Sequence, residues 1–160
     1  MNMSDVSSID GIIGAAYDVI SGMAGQKRDW DRERGLFAPG ARLIPTAAAP
    51  GAAGNDDRGK PALQVLDVEG YIARVDSYFA EEGFYETEIA RVTEQFGQIA
   101  HVWSTYESRH SPDDAQPFMR GINSFQLFHD GERWWIISVY WQHESTEHPL
   151  PAKYTARRPG

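Results

Sequence analysis

Between Tyr85 and Gln142 the chain passes through four long segments, YETEIARVTEQF, QIAHVWSTYESRH, FMRGINSFQLFHD and RWWIISVYWQ. All four are dense in β-branched and aromatic residues, which suit a pleated, half-buried surface. They are separated by Gly97, by SPDDAQP and by DGE. Connections this short join antiparallel neighbours, because a parallel pair needs a crossover of a dozen residues or more. The second half of the chain is thereby constrained to an antiparallel meander. Such a sheet must bury at least one face, and the first half has to supply the cover.

That cover is helical. Residues 7–25 place Ile9, Ile12, Ile13, Ala16, Val19, Ile20 and Met23 on one helical face. Ser7 or Ser8 suits its N-cap and Gly25 its end. KRDWDRERGLF predicts a short polar helix stopped near Gly35 and tied to the core by Trp30, Leu36 and Phe37. ARLI, residues 41–44, reads as a short strand, and ALQVLDVEGYIARVDSYFAEEGF after Pro61 as a short strand and then a helix. Asp67 is a good N-cap for a helix with Val68, Tyr71, Ile72, Val75, Tyr78 and Phe79 on its buried face. Gly83 suits the left-handed position after it.

The predicted class is α+β: a cone-shaped, curved, mixed but mostly antiparallel sheet, with the N-terminal helices and a third helix on its concave face. One domain covers residues 1–143. TAAAPGAAGNDDRGKP, residues 46–61, interrupts it as an aperiodic loop, and residues 144–160 form a Pro-rich tail. A chain of 160 residues buries enough surface to need no staple. The absence of Cys excludes disulfides, thiolate metal sites and a cysteine nucleophile. A net charge of −8 argues against a nucleic-acid partner. No apolar run reaches the ~20 residues of a membrane span. No Lys or Arg precedes Lys27, so the start lacks the cationic region of a signal peptide, and a cytoplasmic location is expected.

Two motifs come close to known chemistry and fall short. HESTEH, His143–His148, spaces its histidines by five rather than the four of a helical zinc motif, and Pro149 follows. GNDDRGKP has phosphate-loop spacing, but Pro61 replaces the hydroxyl residue that would hold magnesium. Neither a metal nor a cofactor is implied.

Strand polarity is more informative. His101, Trp103 and Thr105 share one face of their strand; Ser124, Gln126 and Phe128 share one face of the next. Trp134, Ile136, Ser138 and Tyr140 oppose Trp135, Ile137, Val139 and Trp141. Every strand is bulky on both sides, so both faces of the sheet are expected to be covered, one by helices and one by a second subunit. A three-residue DGE loop would set Gln126 beside Ile136 and Ser124 beside Ser138. Polar groups scattered among aromatic walls are the usual lining of a small-molecule pocket; a closed, internally bonded core is the alternative.

The first helix, DWDRERGLFAPGARLI, QIAHVWSTYE and the closing hairpin INSFQLFHDGERWWIISVYW, in that order, resemble the nuclear transport factor 2-like superfamily, which includes SnoaL-like cyclases and ketosteroid isomerases. The hairpin is the most specific piece, and the resemblance spans residues 7–143 without the 46–61 loop. It implies a cone-shaped fold, a pocket between sheet and helices, dimers through the sheet, and Trp103 and Ser124 facing the cavity. Isomerase-like members carry an acidic base just before a Pro on the first strand, where this chain has Ile44. The paired Asp around an Arg of epoxide-hydrolase-like members is not identifiable.

Three functions follow as expectations. The first is a pocket protein for an apolar or aromatic small molecule, lined by Trp30, Tyr71, Tyr78, Trp103, Ser124, Gln126 and Ser138. The second is a lyase or isomerase on a polyketide- or steroid-like substrate, with His101, Asp31 and Tyr140 as the acid–base group. The third is a non-enzymatic dimerisation or assembly domain.

Overall fold

The computed structural model describes residues 2–46 and 63–156. The expected 46–61 loop, beyond Thr46, lies outside them. Helix α1 spans Ile9–Ile20 and α2 spans Trp30–Leu36. Strand β1 follows at Phe37–Pro45 and α3 at Val68–Glu81. The meander is β2 (Tyr85–Phe96), β3 (Ile99–Arg109), β4 (Met119–His129) and β5 (Trp134–His143). The strands form one sheet in the order β1-β5-β4-β3-β2. Only β1 runs parallel to its neighbour, so the sheet is mixed and mostly antiparallel, as the sequence predicts. The short strand expected before the third helix is reduced to a single bridge between Leu66 and Leu43.

Each helix begins on a short polar side chain that accepts an otherwise orphan N–H. Ser8 accepts from Gly11 at 2.9 Å, Asp29 from Arg32 at 3.0 Å and Asp67 from Gly70 at 2.7 Å. The first helix stops at Ile20 rather than at Gly25, because Arg28 terminates it. Its buried guanidinium donates to the carbonyls of Ile20, Gly22, Met23 and Gln26 at 2.7–3.1 Å and lies over the Phe79 ring. The Ile20 carbonyl would otherwise be stranded at the helix end, while those of Gly22 and Met23 also accept from the backbone of Phe84 and Gln26.

Gly83 is not left-handed, contrary to expectation. After α3 the chain is extended at Glu82, with φ −121°. Gly83 is required for space instead, since a Cβ there would collide with the carbonyl oxygen of His110.

The helices pack on one face of the sheet. Ile12 and Ile13 of α1, Leu36 of α2, and Val102, Phe125, Leu127 and Ile136 of the sheet are almost wholly buried in one cluster. Each contributes about 1.5–3 kcal/mol by leaving water.

The sidedness of the last strands departs from the sequence reading. His129 pairs with Trp134, so the turn holds four residues, Asp130–Arg133, not three. A bulge then leaves Ile137 unmatched, and Gln126 faces Ser138 while Ser124 faces Tyr140. Trp134 and Ile136 point toward the helices as expected, but past the bulge the phase inverts. Val139, Trp141 and His143 take the inner side, and Ser138 and Tyr140 turn outward. On β3 the inner residues are Ala100, Val102, Ser104 and Tyr106. Ser104 bonds to Tyr17 of α1, which leaves His101 and Trp103 on the opposite face.

Candidate functional site

A cavity of about 1530 Å³ lies between the helices and the inner face of the sheet. Its walls are largely apolar and aromatic, from Phe37, Tyr71, Phe79, Phe84, Phe125 and Trp141. Glu33, Glu86, Glu107, Glu144 and Glu147 line it, and of these Glu33 and Glu86 are buried. Glu33 comes from α2 and is 3 % exposed; Glu86 comes from β2 and is 9 % exposed.

Among the described residues Glu33 has no countercharge. Its Oε2 is buried with no hydrogen-bond partner, and burial alone pushes its carboxyl up to about 8. The local sequence explains its position. Trp30, Glu33 and Leu36 recur at helical spacing on the core side of α2, and Trp30 stacks on Phe79 while Leu36 is buried. Glu33 is carried inward by its neighbours' packing.

Glu86 is bonded but still destabilised as an anion. Asn123 donates to its Oε1 at 3.2 Å and Ser108 to its Oε2 at 3.2 Å. Burial outweighs these bonds and raises the carboxyl to about 7. The same Asn123 nitrogen donates to the Tyr17 hydroxyl at 3.0 Å, and that hydroxyl lies 2.7 Å from Ser104 Oγ. Ser104 donates to Glu88, which is paired with Arg91. Because Asn123 can only donate from that nitrogen, Tyr17 is left to donate to Ser104, and its hydrogen points out of the cavity. Burial and the charge of Glu86 raise Tyr17 far above the ordinary phenol range, so it stays neutral. Tyr106 lies 2.5 Å from His143 Nδ1, and burial lowers the proton affinity of that imidazole.

Of the residues singled out from sequence, Tyr71 and Tyr78 line the cavity. His101, Trp103, Ser124, Gln126, Ser138 and Tyr140 do not, because the register places them on the outer face. There His101 Nε2 meets Ser124 Oγ at 3.1 Å, and Trp103 packs against Tyr154 of the tail. Asp31 is 94 % exposed at its side chain and pairs with Arg34. Trp30 supports the wall through Phe79 and donates to Asp76. The acid–base group His101, Asp31 and Tyr140 is therefore not assembled. Glu33 and Glu86 were missed. For Glu33 the signal was its helical phase with Trp30 and Leu36. For Glu86 it was the pairing with Ser108 opposite, visible only once the inner face of β3 is known.

No family model and no curated protein sequence matches the chain. Solved structures do. An NTF2-like protein of unknown function from Pseudomonas putida KT2440 superposes with a TM-score of 0.60 at 11 % identity, over 89 % of this chain and 90 % of that one. A Parabacteroides distasonis protein, provisionally described as a ketosteroid isomerase, gives 0.58 at 10 % identity, over 90 % and 98 %. An NTF2-like protein of unknown function from Shewanella baltica OS155 gives 0.56 at 14 % identity, over 84 % and 90 %. The chain has the nuclear transport factor 2-like fold.

Proposed function

We propose that this protein binds a small, largely apolar molecule between its helices and its sheet, with the polar end of that molecule at Glu33 and Glu86. The observation that carries this reading is the Glu33 carboxyl, buried beside the cavity with an oxygen that none of the described residues satisfies. An unmet buried acceptor is costly, and is kept where a ligand supplies the missing partner. The test is saturable binding of a neutral aromatic probe, 1-anilinonaphthalene, followed by fluorescence in the wild type and in Val139→Trp, which fills the cavity from β5. One-to-one binding weakened at least tenfold by Val139→Trp supports the reading. Equal binding by both proteins contradicts it.

A second reading, acid–base catalysis on a carbonyl substrate, is favoured by one observation. Two carboxyls held near neutrality share one cavity, about 7 at Glu86 and about 8 at Glu33, which suits them to exchange protons at physiological pH. The provisional description of the Parabacteroides distasonis neighbour supports the same direction. Exchange of α-hydrogens of a β,γ-unsaturated ketone in deuterated water, lost by more than a hundredfold in Glu86→Gln, is the expected result. Unchanged exchange in Glu86→Gln contradicts it.

Pairing of two copies through the outer sheet face belongs to the same proposal. Its support is Ile137 and Tyr140, 44 % and 46 % exposed on that face. Tyr140→Arg is then expected to convert a dimer into a monomer in light scattering.

A further inference from the structure

The chain's own C-terminal tail covers one end of the outer sheet face. Strand register aligns Ile44, Tyr140, Ser124, Trp103 and Val92 in one row across that face. The β5 end of the row is open, where Tyr140 and the bulged Ile137 are exposed. The β3 end is closed. Tyr154, in a single helical turn at Ala152–Tyr154, packs its ring on that of Trp103, with centroids 5.9 Å apart. Lys153 lies over the Tyr154 ring. Between Tyr154 and Ala156 of the tail and Val92, Trp103 and Thr105 of the sheet the gap is about 10 Å³, at the lower limit of room for one water molecule. Thr105 lies on the same outer face and is 1 % exposed.

The tail is fastened at its root and packed at its end. Glu144, just past β5, accepts from the Arg120 guanidinium at 2.6 and 3.1 Å. The same carboxylate accepts from the Leu150 N–H at 3.2 Å, which holds the tail near β4. Among the described residues, no hydrogen bond joins residues 152–156 to the sheet, so the far end is held by side-chain packing.

We propose that residues 144–156 form a strap that shields the Trp103 end of the outer face and confines the contact between two copies to the Ile137 and Tyr140 end. This deepens the pairing read above by giving the contact a limit. With the strap released, Trp103 and Val92 join Tyr140 across Ser124 in one broad surface of the kind that marks an interaction site. Pairing over that full surface requires the strap to leave first, so the strap lowers the apparent affinity of one copy for another.

The experiment is sedimentation equilibrium of the full chain in three forms: wild type, Tyr154→Asp and Tyr154→Phe. Tyr154→Asp sets a charge against Trp103 and is expected to free the tail and tighten pairing at least tenfold. Tyr154→Phe keeps the ring and is expected to pair as the wild type does. Adding Trp103→Asp to Tyr154→Asp should remove the gain, because the uncovered surface is then polar. Amide exchange of residues 152–156 should accelerate at least tenfold in Tyr154→Asp. Unchanged exchange there, or pairing of Tyr154→Asp equal to or weaker than wild type, overturns the strap and leaves the pairing reading standing. A monomeric wild type with a dimeric Tyr154→Asp supports the strap and overturns pairing through Ile137 and Tyr140 alone. Monomers in every form overturn both.

Discussion

Asn123 donates a side-chain N–H to Oε1 of Glu86 across 3.2 Å, reaching from β4 to β2 over the intervening β3. It thereby joins two strands that do not pair and stabilises the anionic form of a carboxylate that burial opposes. Replacing Asn123 by Leu keeps the volume and removes the donor. The Glu86 carboxyl should then titrate above its present value of about 7, read by carboxyl carbon NMR. Unfolding by urea should show a loss of about 1–3 kcal/mol, since Glu86 and Tyr17 each lose a buried partner. An unmoved Glu86 titration would show that Asn123 does not shape it.

Glu33 makes the fold sensitive to pH in a definite direction. Its carboxyl is raised from 4.5 to about 8 in the folded chain. The folded state thus binds more protons than the unfolded state between those values. Its contribution to stability is fully present below about pH 4.5 and is lost as pH rises through about 8. Glu33→Gln cannot ionise, so it should match the wild type near pH 5 and exceed it at pH 9, by about 2–4 kcal/mol. Urea unfolding at the two pH values measures the difference. A wild type as stable as Glu33→Gln at pH 9 would place Glu33 in an environment that tolerates its charge.

The contrast between Glu33 and His101 shows what the sequence could and could not reveal. The identity of α1, α2, α3 and β2–β5 was legible, because apolar spacing and aromatic density are properties of single segments, whereas the strand expected before α3 is only a bridge at Leu66. The face that each strand turns inward is a property of pairs. It depended on one extra residue in the Asp130–Arg133 turn and one bulged residue, Ile137, and neither leaves a local mark. His101, Ser138 and Tyr140 were assigned inward for that reason. Glu33 was legible in principle, since Trp30 and Leu36 already fix the buried side of α2. An acid in phase with Trp30 and Leu36 is carried to the buried side of α2, whereas Asp31, one position on, is carried to solvent.

Arg28 is the stop of α1, and its value lies in the fork of its guanidinium. Four carbonyls receive its N–H groups, and Lys, with three donors on a mobile stem, cannot reproduce that geometry. Arg28→Lys should destabilise the protein by about 1–3 kcal/mol, and Arg28→Met by more, because the Ile20 and Gln26 carbonyls lose the guanidinium outright while those of Gly22 and Met23 keep only their backbone donors, Phe84 and Gln26. Amide hydrogen exchange should localise the effect to residues 18–28. Uniform acceleration across the chain would point to general destabilisation instead of a lost cap.

Gly121 permits Tyr106 to reach His143. It sits on β4 between the two, paired with Tyr106 on one side and His143 on the other. A Cβ at this position would collide with the Gln142 carbonyl and with the Tyr106 hydroxyl. Gly121→Ala should therefore displace the phenol and cost about 1–3 kcal/mol by overpacking. Tyr106→Phe removes the same hydroxyl without crowding and should cost less. A phenol that donates to His143 Nδ1 stabilises the neutral imidazole, so both variants should move the His143 titration up toward the ordinary histidine value of about 6.5. NMR of the imidazole carbons follows that shift. A downward shift in Tyr106→Phe would mean that His143 carries the hydrogen and Tyr106 accepts it.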